Sequence, residues 1–199
     1  MKVLNLKESL EALRKYDLPV AKTVFASSRE EALDAAKEVG FPLVVKPNVS
    51  EHKTEIGVFL HVKSESELLE AFEKLKPFGE VAIQEELSGL EIFLGAKRDE
   101  FFGSYVALGT GGVFVELFED VSFRLVPLKE RDVEEMIEET KLSKFVEGFR
   151  GTKLDKGALV DVVTKFSEFV RNEKVVEADV NPLIASEKGV FVVDARVIV

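Results

Sequence analysis

Gly109-Thr110-Gly111-Gly112-Val113-Phe114-Val115-Glu116, continuing to Asp120-Val121-Ser122-Phe123-Arg124, is the stretch on which the reading of this chain turns. It follows the apolar run Tyr105-Val106-Ala107-Leu108 and opens into Val113-Phe114-Val115. Three glycines in four residues between two apolar runs predict a turn that takes φ > 0 and leaves backbone N–H groups open to an anion. An acid and an arginine follow on the next strand. Glycines, a carboxylate and a guanidinium together suit a phosphoryl group in transit. Taken alone, the stretch reads as a tight hairpin with two surface charges. The rest of the chain decides whether it is more.

Outward from this turn, the flanking segments predict strands. Residues 91–97 and 101–108 on the N-terminal side, with 113–118 and 123–128 on the C-terminal side, are expected to form an antiparallel meander, and residues 80–87 before them to give another strand. Helices are predicted over 129–139, 142–149 and 157–171, the last with Leu159, Val162, Val163, Phe166 and Val170 inward. Strands 175–180 and 190–193 are expected to close around an Asn181-Pro182 turn. Nearer the N-terminus, a helix is predicted over 8–16 and a strand over 20–26. Ser28 with Glu31, and Ser64 with Glu67, carry capping-box spacing ahead of two further helices. Gly40 is placed to end the first of these. Phe41-Pro42-Leu43-Val44-Val45-Lys46-Pro47 reads as a short buried strand ending in a lysine, and residues 58–62 as another strand. The expected organisation is an N-terminal helix over 1–19 and two α+β lobes over 20–83 and 84–199, with the crevice between them as the ligand site.

Bulk properties narrow the function. The 199 residues carry 37 acids against 27 bases, a net charge of −10, which argues against a nucleic-acid backbone or an anionic membrane as the main partner. There is no cysteine, so disulfides, thiolate chemistry and Cys-ligated zinc are excluded. No apolar run approaches membrane-spanning length, and Met1 to Leu10 lacks a signal-type apolar core. These features read as a cytoplasmic chain.

Four further constellations bear on chemistry. Lys46 ends a Val-Val strand, where an ammonium at a crevice edge would hold a phosphate as a point charge. The loop Ser50-Glu51-His52-Lys53-Thr54-Glu55-Ile56-Gly57 holds one of only two histidines, a residue type able to accept a phosphoryl group on nitrogen. Gln84-Glu85-Glu86, with Glu91 beyond, offers strand backbone to a base edge and carboxylates to ribose hydroxyls. Asn181 and Asp194 are an amide oxygen and a carboxylate, hard ligands suited to Mg²⁺. Each alone also has a structural explanation. Together, in this order, they list a lysine, a phosphate loop, hinge acids and metal ligands.

These segments carry a resemblance. Gly40–Lys46, His52-Lys53-Thr54, Gly109–Glu116, Asp120–Arg124, Asp179-Val180-Asn181-Pro182-Leu183 and Asp194-Ala195-Arg196 resemble the ATP-grasp (beta) subunit of NDP-forming acyl-CoA synthetases. The similarity is greatest to the archaeal ADP-forming acetyl-CoA synthetases, relatives of the succinyl-CoA synthetase beta subunit, and runs from about Leu10 to Val199. The resemblance implies an ATP-grasp fold of α+β class, two subdomains gripping a nucleotide in the crevice between them. It implies ATP or ADP as substrate and Mg²⁺ as cofactor. Lys46, Lys53, Gly57, Gln84, Glu85, Glu86 and Glu91 would bind the nucleotide, and Asn181 and Asp194 would ligate the metal. His52 would relay a phosphoryl group, with Glu116 in catalytic support. Gly109, Gly111, Gly112 and Arg124 would receive a phosphohistidine from a separate CoA-binding alpha subunit, in a heterotetramer. The implied reaction is acyl-CoA + ADP + phosphate ⇌ acid + ATP + CoA. Where the family loop carries two successive glycines, this chain has Gly57-Val58, and Pro47–Glu51 departs from the family's Ser-Pro stretch. The lost glycine keeps a second reading open, a nucleotide-binding regulatory subunit without turnover. Arg124 has an alternative too, an ion pair with Glu119 or Asp120.

Overall fold

The computed structural model describes residues 1–50, 56–112 and 120–199. His52, Lys53, Glu116 and the strand expected over 113–118 lie outside the described residues. The chain divides into two compact units, one of Asn5–Glu8 with Ala21–Leu87, the other of Met1–Leu4, Ser9–Val20 and Ser88–Val199. Helix α1 (Leu6–Arg14) contributes to both.

The smaller unit is a four-stranded antiparallel sheet. Its elements are β1 (Thr23–Ala26), α2 (Arg29–Val39), β2 (Leu43–Pro47), β3 (Phe59–Val62), α3 (Glu65–Leu75) and β4 (Val81–Glu85), with strand order β1-β4-β2-β3. Ser28 and Ser64 cap α2 and α3, accepting from the amides of Glu31 at 3.1 Å and Glu67 at 3.3 Å. Each cap removes an orphan helix donor and contributes about 1 kcal/mol. The returning carboxylates reach one residue further than a capping box requires, to the amides of Ser27 and Lys63. Both helices cover one face of the sheet. Leu43, Val45, Val81 and Ile83 point into that core beside Ala32, Ala35, Leu68 and Phe72. Strand alternation therefore sends Val44, Lys46, Ala82 and Gln84 to the opposite face.

In the larger unit, β5 (Leu90–Asp99), β6 (Gly103–Thr110) and β7 (Val121–Leu125) form an antiparallel meander. Helices α4 (Glu130–Glu139), α5 (Leu142–Glu147) and α6 (Lys156–Asn172) follow, then β8 (Glu177–Ser186), β9 (Gly189–Val192) and β10 (Arg196–Ile198). The sheet order is β10-β8-β5-β6-β7, with β9 also paired to β8. Ile92, Leu94, Val106 and Leu108 are fully buried on the face against which α4 and α6 pack. The strand expected over 80–87 is β4, a member of the smaller sheet.

Two local expectations are corrected. Asn181-Pro182 is not a turn: β8 runs through it, and the chain reverses between Ser186 and Gly189. β5 passes one residue, Phe93, while β8 passes two, Asn181 and Pro182, between the pairs Leu94–Val180 and Ile92–Leu183. Proline is tolerated at such a bulge, where no ladder donor is needed. Gly109 and Thr110 likewise belong to β6 rather than to a turn. Of the three glycines only Gly112 has positive φ, at 68°.

Candidate nucleotide and phosphoryl site

The glycines from which the reading began are there for close backbone approach. The amide of Gly111 donates to the carbonyl of Glu91 at 2.7 Å. A Cβ on Gly111 would meet the Glu91 carbonyl carbon at 2.8 Å and the Ile92 amide at 2.9 Å, and a Cβ on Gly109 would overlap the carbonyl oxygen of Asp120. The Glu91 carboxylate lies 2.8 Å from where a Gly112 Cβ would stand. The structure thus brings Glu91 against Gly111 and Gly112. We expect Gly111→Ala to lower stability by about 1–3 kcal/mol, because backbone rather than a flexible side chain must give. Urea unfolding checks this, and an unchanged midpoint would contradict it.

The two charges after the glycines are engaged. Asp120 accepts from Thr110 Oγ1 at 3.0 Å and from the Lys141 amide at 3.0 and 3.1 Å. Arg124 stands opposite Val106, on the helix-covered face, and makes a two-pronged pair with Glu139 of α4 at 2.6 and 3.0 Å. Its ion-pair partners among the described residues are therefore Glu139 and, at 3.8 Å, Glu135, not Asp120. Arg124 and Ser122 together hold the Glu139 carboxyl down at about 2. A carboxyl lowered on folding stabilises above its ordinary value of 4.5, and that contribution disappears as pH falls through about 2. The melting-temperature difference between wild type and Glu139→Gln should be constant above about pH 4.5 and shrink toward zero below it. A difference that does not vary between pH 6 and pH 2 would contradict the pairing.

Asn181 and Asp194 are brought together by sheet register. β8 pairs with β9 through Leu183–Val192 and with β10 through Asp179–Arg196, one register on both sides of a gap. In that register Asn181 is opposite Asp194. Val180 and Ala195 beside them are buried, so alternation turns Asn181 and Asp194 to the other face. Asn181 is exposed and Asp194 half-buried, with Oδ1 of Asp194 accepting from the Ala195 amide at 2.9 Å. No cluster of three or more His, Cys, Asp or Glu side chains is gathered among the described residues. An amide and a carboxylate at adjoining positions still fit Mg²⁺, which takes one or two protein oxygens and keeps its other places for phosphate and water.

In the smaller unit, Lys46 is 4% exposed and Gln84 1%. Gln84 is fixed by a bond from its side-chain amide to Thr23 Oγ1 at 2.7 Å. Glu85 accepts from the Lys22 amide at 2.6 Å, closing the entry to β1. Glu86 is met by a residue that sequence patterning did not single out: Nδ1 of His61 lies 2.6 Å from its Oε1. The available signal was that His61 is the second of only two histidines. Gly57 has φ 114°, and among the described residues nothing lies within 4 Å of where its Cβ would stand.

A family model for the ATP-grasp domain matches residues 1–199. The chain belongs to the ATP-grasp domain family. This ATP-grasp domain is 47% identical over 199 residues to acetate–CoA ligase (ADP-forming) II of Archaeoglobus fulgidus, covering 96% of the chain and 30% of that relative's length. It is 35% identical over 207 residues to the beta subunit of acetate–CoA ligase (ADP-forming) I of Pyrococcus furiosus, covering 96% of the chain and 89% of that subunit. The ATP-grasp domain superposes on Ca. Korarchaeum cryptofilum dinucleotide-forming acetyl-coenzyme A synthetase 1, solved with coenzyme A, Ca-AMPCP and HgCl⁺, with a TM-score of 0.91 at 39% identity, covering 100% of this chain and 93% of that one. The same enzyme solved with coenzyme A and Mg-AMPPCP, its phosphohistidine segment pointing towards the nucleotide binding site, matches with a TM-score of 0.86, again at 39% identity and with the same coverage. No helix among the described residues is long and apolar enough to cross a membrane.

Proposed function

We propose that this chain is the ATP-grasp component of an ADP-forming acetate–CoA ligase, moving a phosphoryl group between a phosphohistidine and ADP in acetyl-CoA + ADP + phosphate ⇌ acetate + ATP + CoA. The observation that carries the reading is the 35% identity over nearly the whole of a beta subunit of that enzyme, together with the Asn181–Asp194 juxtaposition. The phosphohistidine would arrive on a CoA-binding alpha-type partner. In the ATP-forming direction the P–N bond of that phosphohistidine breaks and a P–N bond to His52 forms. This bond then breaks as a β-phosphate oxygen of ADP takes the phosphoryl group, giving ATP and a neutral imidazole.

Lys46 is assigned to the nucleotide phosphates, as a charge held rigidly in a strand, with Lys53 and Gly57 on the loop that follows. Gln84, Glu85, Glu86 and Glu91 are assigned to the nucleoside. Gly109, Gly111 and Gly112 are assigned to docking of the partner's histidine segment, where small residues let another backbone approach. Glu116 is assigned to catalytic support. The pairing of Arg124 with Glu139 on the helix-covered face argues for a structural part in holding β7 to α4, with phosphate binding requiring that pair to open. Asn181 and Asp194 would hold Mg²⁺, whose charge offsets that of the phosphates in flight. A turnover assay with an alpha-type partner, ADP, phosphate and acetyl-CoA tests the reading: ATP is expected only when both chains are present. Tight Mg-ADP binding by calorimetry with no ATP formed would instead favour a regulatory subunit.

A further inference from the structure

β3 carries a bulge. Leu43 of β2 pairs with Val62 and Val45 with Phe59, so Leu60 and His61 together oppose the single Val44. His61 has φ 56°, a left-handed conformation that a non-glycine residue keeps only when its surroundings hold it there. Bulges re-aim side chains and collect near active sites. Here the re-aimed imidazole puts Nδ1 2.6 Å from Oε1 of Glu86. The Glu86 side chain is only 13% exposed, whereas that of His61 is 73% exposed. The carboxylate is thus the inward member of the pair and the imidazole its outer support.

Glu86 also stands at a telling distance from Lys46. Its amide donates to the carbonyl of Pro42 at 3.3 Å, extending the β4–β2 ladder one step past the Leu43–Glu85 pair. By alternation it shares the face of Ala82, Gln84 and Lys46. Lys46 is opposite Ala82, and Glu86 is four residues further along the strand, about 14 Å at a rise of about 3.4 Å per residue. That is the span from the phosphates of a nucleotide to the far edge of its base, too long for the ribose.

We propose that Glu86 is a specificity-determining residue for the base and His61 the positioning residue that aims it. The Nδ1–H of His61 holds Oε1, and Oε2 accepts from the 6-amino group of adenine. A base with a carbonyl at that position sets an acceptor against a carboxylate and is rejected. This inference rests on the nucleotide-binding reading and extends it to the choice of base.

Calorimetry of the full chain with Mg-ADP and Mg-IDP tests it, since the two nucleotides differ at the position in question. Wild type is expected to prefer ADP by roughly 10- to 100-fold, the worth of a hydrogen bond to a charged group. Glu86→Ala and His61→Gly should both bring the ratio to about one, and His61→Asn, which keeps a donor and tolerates left-handed φ, should restore most of it. Glycine at 61 suits the backbone, so melting temperature separates loss of aim from loss of fold. A preference retained in His61→Gly, or retained in Glu86→Ala, would overturn the proposal while leaving nucleotide binding intact. A wild-type chain that binds neither nucleotide would overturn the nucleotide-site reading itself.

Discussion

Replacing His52 with alanine is expected to lower ATP formation, assayed with the alpha-type partner, by about three orders of magnitude or more. Removing a covalent relay eliminates a route rather than weakening a contact, so the loss should fall on kcat and leave the nucleotide KM nearly unchanged. Affinity for Mg-ADP and the melting temperature should both stay at wild-type values. His52 lies outside the described residues, and its assignment comes from the resemblance of His52-Lys53-Thr54 to the family's motif. A His52→Ala chain with full turnover would remove the relay and leave direct transfer from the partner's phosphohistidine to ADP.

Replacing Asp194 with alanine is expected to cost about 10²- to 10³-fold in kcat/KM, the worth of several kcal/mol of charge stabilisation by a divalent cation. The loss should be partly recovered at high Mg²⁺, because Asn181 would still offer an oxygen to the metal. Asn181→Ala should show the same pattern more weakly, since a neutral amide oxygen attracts Mg²⁺ less than a carboxylate does. Titrating activity against Mg²⁺ for both variants checks this. A loss in Asp194→Ala that no Mg²⁺ concentration changes would point to a packing role for Asp194 instead.

What the sequence made legible was mostly local. Ser28 and Ser64 announce their helices because a cap needs only the next few residues. Lys46 is recognisable because a charge directly after Leu43-Val44-Val45 interrupts an apolar run. Where sheet register decides, local signals mislead. Asn181-Pro182 has the composition of a turn, yet ladders to β5, β9 and β10 carry the strand through it. Residues 181 and 194 still fall opposite one another, because the turn that was expected and the register that is observed both place them so. Partners contributed by another element were not legible at all. Glu139 meets Arg124 only once α4 packs on β7, and His61 meets Glu86 only through a bulge in β3. At 109 and 111 the turn pattern misled too: glycine is needed there because the backbone of Asp120 and Glu91 lies beside them.

The central claim, that this chain passes a phosphoryl group from a partner's phosphohistidine to ADP, is tested most directly by a single-turnover transfer. An alpha-type partner carrying ³²P on its histidine is mixed with this chain and Mg-ADP. The account predicts that label leaves the partner and appears in ATP, that it pauses on this chain when ADP is omitted, and that His52→Ala blocks both events. Label that stays on the partner in the presence of wild-type chain and Mg-ADP would contradict it.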